Sequence, residues 1–166
     1  MDNKIRVFDN EGVLQSTLEG HAKGVISFSW TEEHNLISGS WDGTAKIWSL
    51  QTNSCVGTLQ PHENGVHVLG LSGSQVATTS TGESVEGRPA NFKLRIWNVN
   101  TATMIGSPVQ DHSGSIRSIC ALPGIGGFAT GANDGTVALR SVDGEVLGTV
   151  FHAAQEDGSP PFILDW

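Results

Sequence analysis

The sequence has no tyrosine, two cysteines and few charges: 16% of its 166 residues are Asp, Glu, Lys or Arg, against about 25% in ordinary domains. A helical bundle or coiled coil would need many exposed Ala, Glu, Lys and Leu, so this scarcity argues against both. Cys55 and Cys120 are too few for a disulfide scaffold. Apolar runs are short; the longest, Ile119 to Ala129, is interrupted by Pro123 and three glycines, far from the ~20 residues that span a bilayer as a helix. Basic residues number 9 against 17 acidic ones, a formal charge of −8. Nucleic acid and anionic membrane surfaces both demand the opposite balance. The opening Met1-Asp2-Asn3-Lys4 has no apolar segment of a secretory signal. The expected compartment is therefore the reducing cytosol or the nucleus.

What is abundant is Gly, at 21 residues, with 17 Ser and 13 Thr beside 37% hydrophobic residues. That mixture fits short strands joined by many turns, an all-β chain of one domain's length.

The strands repeat. His21, His62, His112 and His152 are spaced by 41, 50 and 40 residues, and Phe8, Trp48 and Trp97 by 40 and 49. After each His comes an apolar run, then a Ser/Thr/Gly-rich strand such as Leu36 to Ser40, then a tight turn such as Asp42-Gly43. Asp-Gly between strand-like runs is a hairpin signal, because Gly tolerates a positive φ.

The stretch Gly20-His21 through Ser38-Gly-Ser-Trp-Asp42-Gly-Thr-Ala-Lys-Ile-Trp48 resembles the WD-repeat family of β-propellers, and the likeness extends over nearly the whole chain. In that family a tetrad joins the His, a Ser or Thr four before the Asp, the Asp, and a Trp six after it. The resemblance thus implies His21, Ser38, Asp42 and Trp48 as a complete first set. The second set has His62, Thr78 and Trp97 but Gly82 in place of Asp, with nine extra residues in an insert at 82–91. The third has His112, Thr130 and Asp134, with Arg140 in place of Trp. Both networks are incomplete as drawn, so their blades are expected to be locally weaker.

The resulting division runs from 3–20 (the last two strands of a blade) through repeats at 21–61, 62–111 and 112–151 to the start of another blade at 152–166. It amounts to about 3.75 four-stranded blades, short of an ordinary closed ring. The chain is read as a partial propeller, a segment of a larger ring, with a closed four-blade ring and a self-completing dimer as the other arrangements.

A narrower likeness rests on Leu36-Ile-Ser-Gly-Ser-Trp-Asp-Gly-Thr-Ala-Lys-Ile-Trp48, Cys55-Val-Gly-Thr-Leu-Gln60, Ser115-Ile-Arg-Ser-Ile-Cys-Ala121, Ala132-Asn-Asp-Gly and Gly144-Glu-Val-Leu147. These runs resemble the phospholipase A-2-activating protein (Ufd-three/Doa-one-like) family. The resemblance implies the middle repeats of a seven-bladed propeller and ubiquitin, or ubiquitylated protein, as partner. In that family, domains downstream of the propeller recruit the hexameric AAA ATPase that extracts ubiquitylated proteins; that role is not carried onto these residues.

Chemistry beyond binding finds little footing. The histidines fall on successive blades rather than around one ion, so no metal is expected, and no cofactor. Gly124-Ile-Gly-Gly127 joins two predicted strands and opens no helix that could cradle a phosphate. Ser72 misses the last glycine of a nucleophile elbow. Asp42, His21 and Ser38 mimic a catalytic triad, but the tetrad accounts for the same trio, and a non-enzymatic scaffold is expected.

In the propeller family the loops entering the innermost strands and the turns bearing the tetrad Asp share a top rim. Five residues after each repeat His, at the start of an inner strand, stand Ile26, His67 and Arg117. Two readings stay open for His67 and Arg117: contact with a partner at the rim, or solvation in the central channel. Trp41 either faces a partner from the same rim or packs on the next blade, and Asn133 holds the equivalent place in the third repeat. The candidate partner-binding residues are thus Trp41, His67, Arg117 and Asn133. The alternatives to a ubiquitin-binding propeller are a WD-repeat scaffold of another complex, or a propeller fragment completed by a second chain.

Overall fold

The computed structural model describes residues 2–31, 35–59, 62, 64–81, 92–110 and 112–150. The 82–91 insert, the Glu32-Glu33 pair, His152 and the remainder of 152–166 lie outside the described residues. All regular structure among the described residues is β, apart from one 3-10 turn at Pro123–Ile125.

Four antiparallel sheets follow one another along the chain. The first holds two strands, β1 (Ile5–Phe8) and β2 (Leu14–Leu18). The second is the meander β3 (Val25–Trp30), β4 (Leu36–Ser40), β5 (Ala45–Ser49) and β6 (Ser54–Leu59). The third runs β7 (Val66–Gly70), β8 (Gln75–Ser80), β9 (Leu94–Asn98) and β10 (Thr103–Val109). The fourth runs β11 (Ile116–Leu122), β12 (Gly127–Ala132), β13 (Val137–Ser141) and β14 (Val146–Val150).

Apolar burial lies between sheets rather than within one shared centre. Leu18 meets Leu36 and Trp48 between the first two sheets. Ile37, Ile47 and Leu59 meet Val66, Val68 and Val76 between the second and third, and Ala77, Leu94 and Ile96 meet Phe128 between the third and fourth. Among the described residues the apolar clusters lie between neighbouring sheets, as in other repeat architectures.

This stacking explains the small residues of the second strand in each blade. Every residue of β4 and β12 is buried. A methyl group placed on Gly39 would lie 2.0 Å from the Val66 carbonyl oxygen of the next sheet, a contact that backbone cannot yield cheaply. Gly39→Ala is therefore expected to destabilise the chain by about 1–3 kcal/mol or more, as overpacking does, read as a lower urea midpoint with an unchanged slope.

The inner strands are also tied by hydroxyls. Ser27 Oγ accepts from the Val68 amide at 3.0 Å and Ser29 Oγ from the Gly70 amide at 2.9 Å, so β3 satisfies β7 across the sheet boundary.

The hairpin turns bear the Asp-Gly signature. Gly43 (φ +83°) and Gly135 (φ +81°) take the left-handed conformation that ends a three-residue loop. Their amides donate to Ser40 O and Ala132 O at 3.2 and 3.1 Å.

Candidate functional site

The first repeat assembles its four polar groups in a closed cluster. Ser38, with no exposed surface, lies on β4 opposite Lys46, while Trp48, on β5, is 1% exposed. The Trp48 indole N–H donates to Ser38 Oγ at 2.8 Å, and His21 Nε2 meets the same oxygen at 2.7 Å. His21 Nδ1 faces Asp42 Oδ2 at 2.9 Å, with the indole edge-on to the imidazole at 5.9 Å between ring centres. Asp42 also accepts from the Ala22 amide and from both the amide and the hydroxyl of Thr44, at 2.9, 2.9 and 2.6 Å. Burial alone would raise the Asp42 pKa; the Thr44 donors, His21 and Ala22 outweigh it and hold the carboxyl well below its usual range. With Asp42 ionised, His21 donates from Nδ1 and accepts the Ser38 proton at Nε2. Ser38 is thus sealed beneath an indole, without the access a nucleophile needs.

The second repeat replaces the carboxylate by a cation. Thr78 lies opposite Arg95 exactly where Ser38 lies opposite Lys46. The Arg95 guanidinium reaches His62 Nδ1, while His62 Nε2 meets Thr78 Oγ1 at 3.2 Å and the Trp97 indole donates to that oxygen at 2.9 Å. Guanidinium only donates, so Nδ1 must accept and the proton sits on Nε2. The imidazole of this blade is inverted relative to that of His21. Burial and then the charge of Arg95 push the His62 pKa down to about 3.

In the third repeat a threonine stands between the imidazole and the carboxylate. His112 Nε2 meets Thr130 Oγ1 at 2.8 Å and Nδ1 meets Thr136 Oγ1 at 2.8 Å, while Asp134 Oδ2 is 3.6 Å from Nδ1. Thr136 Oγ1 in turn donates to Asp134 Oδ1 at 2.5 Å. Burial raises the Asp134 pKa, but the Thr136 hydroxyl and amide, the Ser113 amide and His112 hold it at about 2. Arg140 faces Phe128 across the ladder, just as Trp48 faces Leu36 and Trp97 faces Val76. It is fully buried, with Nη1 donating to Gly144 O at 2.8 Å.

In the second repeat Arg95 stands in for the carboxylate, which the motif did not reveal; in the third, Arg140 holds the Trp place as the offset marks it, and Thr136 joins the network. Thr44 and Thr136 were legible as the third residue of Asp-Gly-Thr. Phe8 differs from its supposed counterparts: it is 54% exposed, whereas Trp48 is buried.

Above these clusters a rim repeats with equal regularity. The amides of Trp41, Thr81 and Asn133 donate to the carbonyls of Gly24, Gly65 and Ser115, at 3.0, 2.8 and 2.9 Å. Adjacent blades interlock here: Ser115 Oγ donates to Thr81 O at 3.0 Å. Trp41 is both packed and exposed. Its ring edge covers Gly65 so closely that a methyl there would lie 2.5 Å from Cε3, yet 44% of the residue remains exposed.

His67 and Arg117, matched by their spacing from the repeat histidine, do not hold equivalent places. Val25 and Ser27 pair with Ser40 and Gly39, and Ile116 and Ser118 pair with Ala132 and Gly131, so Ile26 and Arg117 are bulged out of their ladders. The third sheet has no such bulge, and His67 pairs directly with Thr79. Spacing cannot see a one-residue bulge. The consequence is that His67 is half-buried in the ladder, while exposed Arg117 turns to Asn133, donating from Nε to Oδ1 at 3.1 Å. The structure brings Arg117 and Asn133 together on the rim and sets His67 below it. Among the described residues no three His, Cys, Asp or Glu side chains converge in a way that could hold a metal ion.

Residues 12–49 match the family described as WD domain, G-beta repeat. A solved structure described as RRP9 WD40 repeats superposes with a TM-score of 0.74 at 25% identity, covering 89% of this chain and 43% of that one. The chain has the WD-repeat propeller fold. Among curated relatives, the chain is 31% identical over 124 residues to nuclear distribution protein nudF 1 of Talaromyces marneffei, covering 72% of this chain and 25% of the relative. It is 30% identical over 147 residues to ubiquitin homeostasis protein lub1 of Schizosaccharomyces pombe, covering 84% of this chain and 18% of the relative. The chain thus spans less than half the length of each of these proteins. A WD-repeat fold with buried polar clusters and an exposed rim is a scaffold for protein interaction.

Proposed function

We propose that the rim carrying Trp41, Arg117 and Asn133 binds ubiquitin or ubiquitylated protein, within an adaptor of the ubiquitin-dependent AAA ATPase extraction pathway. The observation that carries this reading is that the same repeating rim bears a half-exposed indole, Trp41, on one blade and a braced guanidinium, Arg117, on another. Aromatic and Arg side chains supply a large share of interface hot spots, and an arginine held by Asn133 loses less freedom on binding. The likeness to lub1 supplies the partner class, and the charge of −8 suits a partner whose apolar patch is rimmed by Lys and Arg, as that of ubiquitin is. The cytosol or nucleus is the compartment such a role requires; two free, exposed thiols, Cys55 and Cys120, accord with it.

Titrating ubiquitin into the isotopically labelled chain tests the reading. Backbone shifts are expected at Trp41, Arg117 and Asn133, with Trp41→Ala and Arg117→Ala each weakening binding about tenfold, near 1.4 kcal/mol. No perturbation up to millimolar ubiquitin would reject the partner. Shifts clustered elsewhere, with both variants binding normally, would reject the rim.

A further inference from the structure

Two blade boundaries of the same register are closed by different groups. Between the second and third sheets Ser29 Oγ accepts from the Gly70 amide at 2.9 Å. Gly70 also lies so near the Trp30 carbonyl oxygen that a methyl group on it would stand 1.9 Å away. Ser29 follows Phe28, which is opposite Ser38; its counterpart in the third sheet is Leu69, which follows Val68, opposite Thr78. The counterpart of Gly70 in the fourth sheet is Ala121, two residues beyond Ile119, which is opposite Thr130. A leucine side chain has no acceptor, so Leu69 cannot hold the Ala121 amide as Ser29 holds that of Gly70.

At this place a groove of about 530 Å³ opens between the third and fourth sheets, a size within the ~300–1,000 Å³ of ligand sites. Gly70, Leu71 and Ser72 form one wall, and Ala121, Pro123 and Gly127 the other. Trp30, at the end of β3, stands at its inner end, and Val142, in the β13–β14 turn, at its outer end. Past Val142 the sheets close again: a methyl group on Gly144 would touch Ile96 Cγ1 at 3.4 Å. Both flanking sheets already have four strands, so blades added before or after them join other faces and leave this one open.

None of the described lining residues is charged. The turns at this end of the sheets, away from the rim, carry Asp9, Glu11, Asp143 and Glu145, all exposed, and among the described residues no Lys or Arg. Arg140, on the adjacent strand β13, is buried, with Nη1 donating to the Gly144 carbonyl. We infer that the groove binds a basic segment of a partner polypeptide, a short apolar core flanked by Lys or Arg. Its apolar side chains displace water between Leu71 and Pro123. The flanking cations stay solvated beside Asp143 and Glu145, and the acidic turns steer them there. A second copy of the chain is a poorer occupant, because two chains of charge −8 repel.

The probe is a synthetic peptide, Lys-Arg-Leu-Trp-Leu-Arg-Lys, titrated into the isotopically labelled chain. Backbone shifts are expected at Leu71, Ser72, Ala121 and Gly126 and not at Trp41 or Asn133, and added salt is expected to weaken binding. Ala121→Phe fills the groove, and Asp143→Lys with Glu145→Lys reverses the charge at its mouth; each is expected to weaken binding at least about tenfold. These positions are exposed, so the variants are expected to fold, which unchanged spectral dispersion checks. Should Ala121→Phe unfold the chain, Ser72→Trp in the opposite wall makes the same test. Replacing Leu and Trp of the peptide by Ser, or its cations by Glu, is expected to abolish the shifts. Four results would overturn the inference: no shifts at millimolar peptide, or shifts confined to the rim; the Ser-substituted peptide binding as tightly, which is charge attraction alone; the Glu-flanked peptide binding as tightly, which is an apolar site with no preference for a basic partner; or a dimer of the chain alone that Ala121→Phe abolishes.

Discussion

Asp42→Ala is expected to cost the fold about 3–5 kcal/mol, the sum for losing several charge-assisted hydrogen bonds and leaving their donors without an acceptor. The carboxylate accepts from two amides, one hydroxyl and the imidazole of His21. Removing it leaves Ala22 and Thr44 amides without their acceptor at a turn packed on the next blade, and frees His21 to lose the orientation that meets Ser38. Domains are stable by only about 5–15 kcal/mol, so the loss is a large fraction of the whole. In a chain of this size it corresponds to a melting point lower by roughly 10 °C. Asp42→Asn keeps an acceptor for Thr44 and should recover part of the difference. Asp134→Ala is expected to cost less, because Thr136 separates that carboxylate from the imidazole. Urea unfolding of the three variants gives the order directly. A loss below 1 kcal/mol for Asp42→Ala would show that the cluster is not what secures this turn.

The parts of the site legible in the sequence are those whose chemistry repeats at fixed offsets. His21, Ser38, Asp42 and Trp48 are recognisable because each must satisfy another in a closed space. The Asp-Gly turns are recognisable because φ above +80° excludes most other residues at Gly43 and Gly135. Arg95 was not legible. Its place opposite Thr78 is held by Lys46 in the preceding repeat, an unremarkable outward lysine, and only three-dimensional register shows that a guanidinium there reaches the imidazole. The bulge at Arg117 escaped for a different reason. Counting residues from His21, His62 and His112 assumes ladders without insertions, and His67 lies in a ladder without the bulge that the others share.

Acid should weaken the fold well before any carboxylate titrates, and His62 is the reason. Its pKa is about 3 in the folded chain and near 6.5 when the chain is unfolded. Between those values the unfolded state binds a proton that the folded state refuses, so stability falls as pH drops through that window. His21 acts in the same direction, its pKa lowered by burial against the pull of Asp42. Asp134, at about 2 when folded, contributes a further loss only below the ordinary carboxylate pKa near 3.9. Acid sensitivity between pH 6.5 and 4.5 therefore belongs to the histidines. For His62 it amounts to roughly 1–2 kcal/mol over that interval, at 1.36 kcal/mol per unit and discounted for partial exposure. Urea midpoints measured at pH 7, 5.5 and 4.5 should show this slope, and His62→Gln should flatten it by that amount. Arg95→Ser tests the cause: without the adjacent cation, burial alone opposes protonation, and the acid-induced loss should become smaller. An unchanged slope in both variants would mean that the guanidinium does not hold this imidazole neutral, and that the inverted ring of the second blade is wrongly assigned.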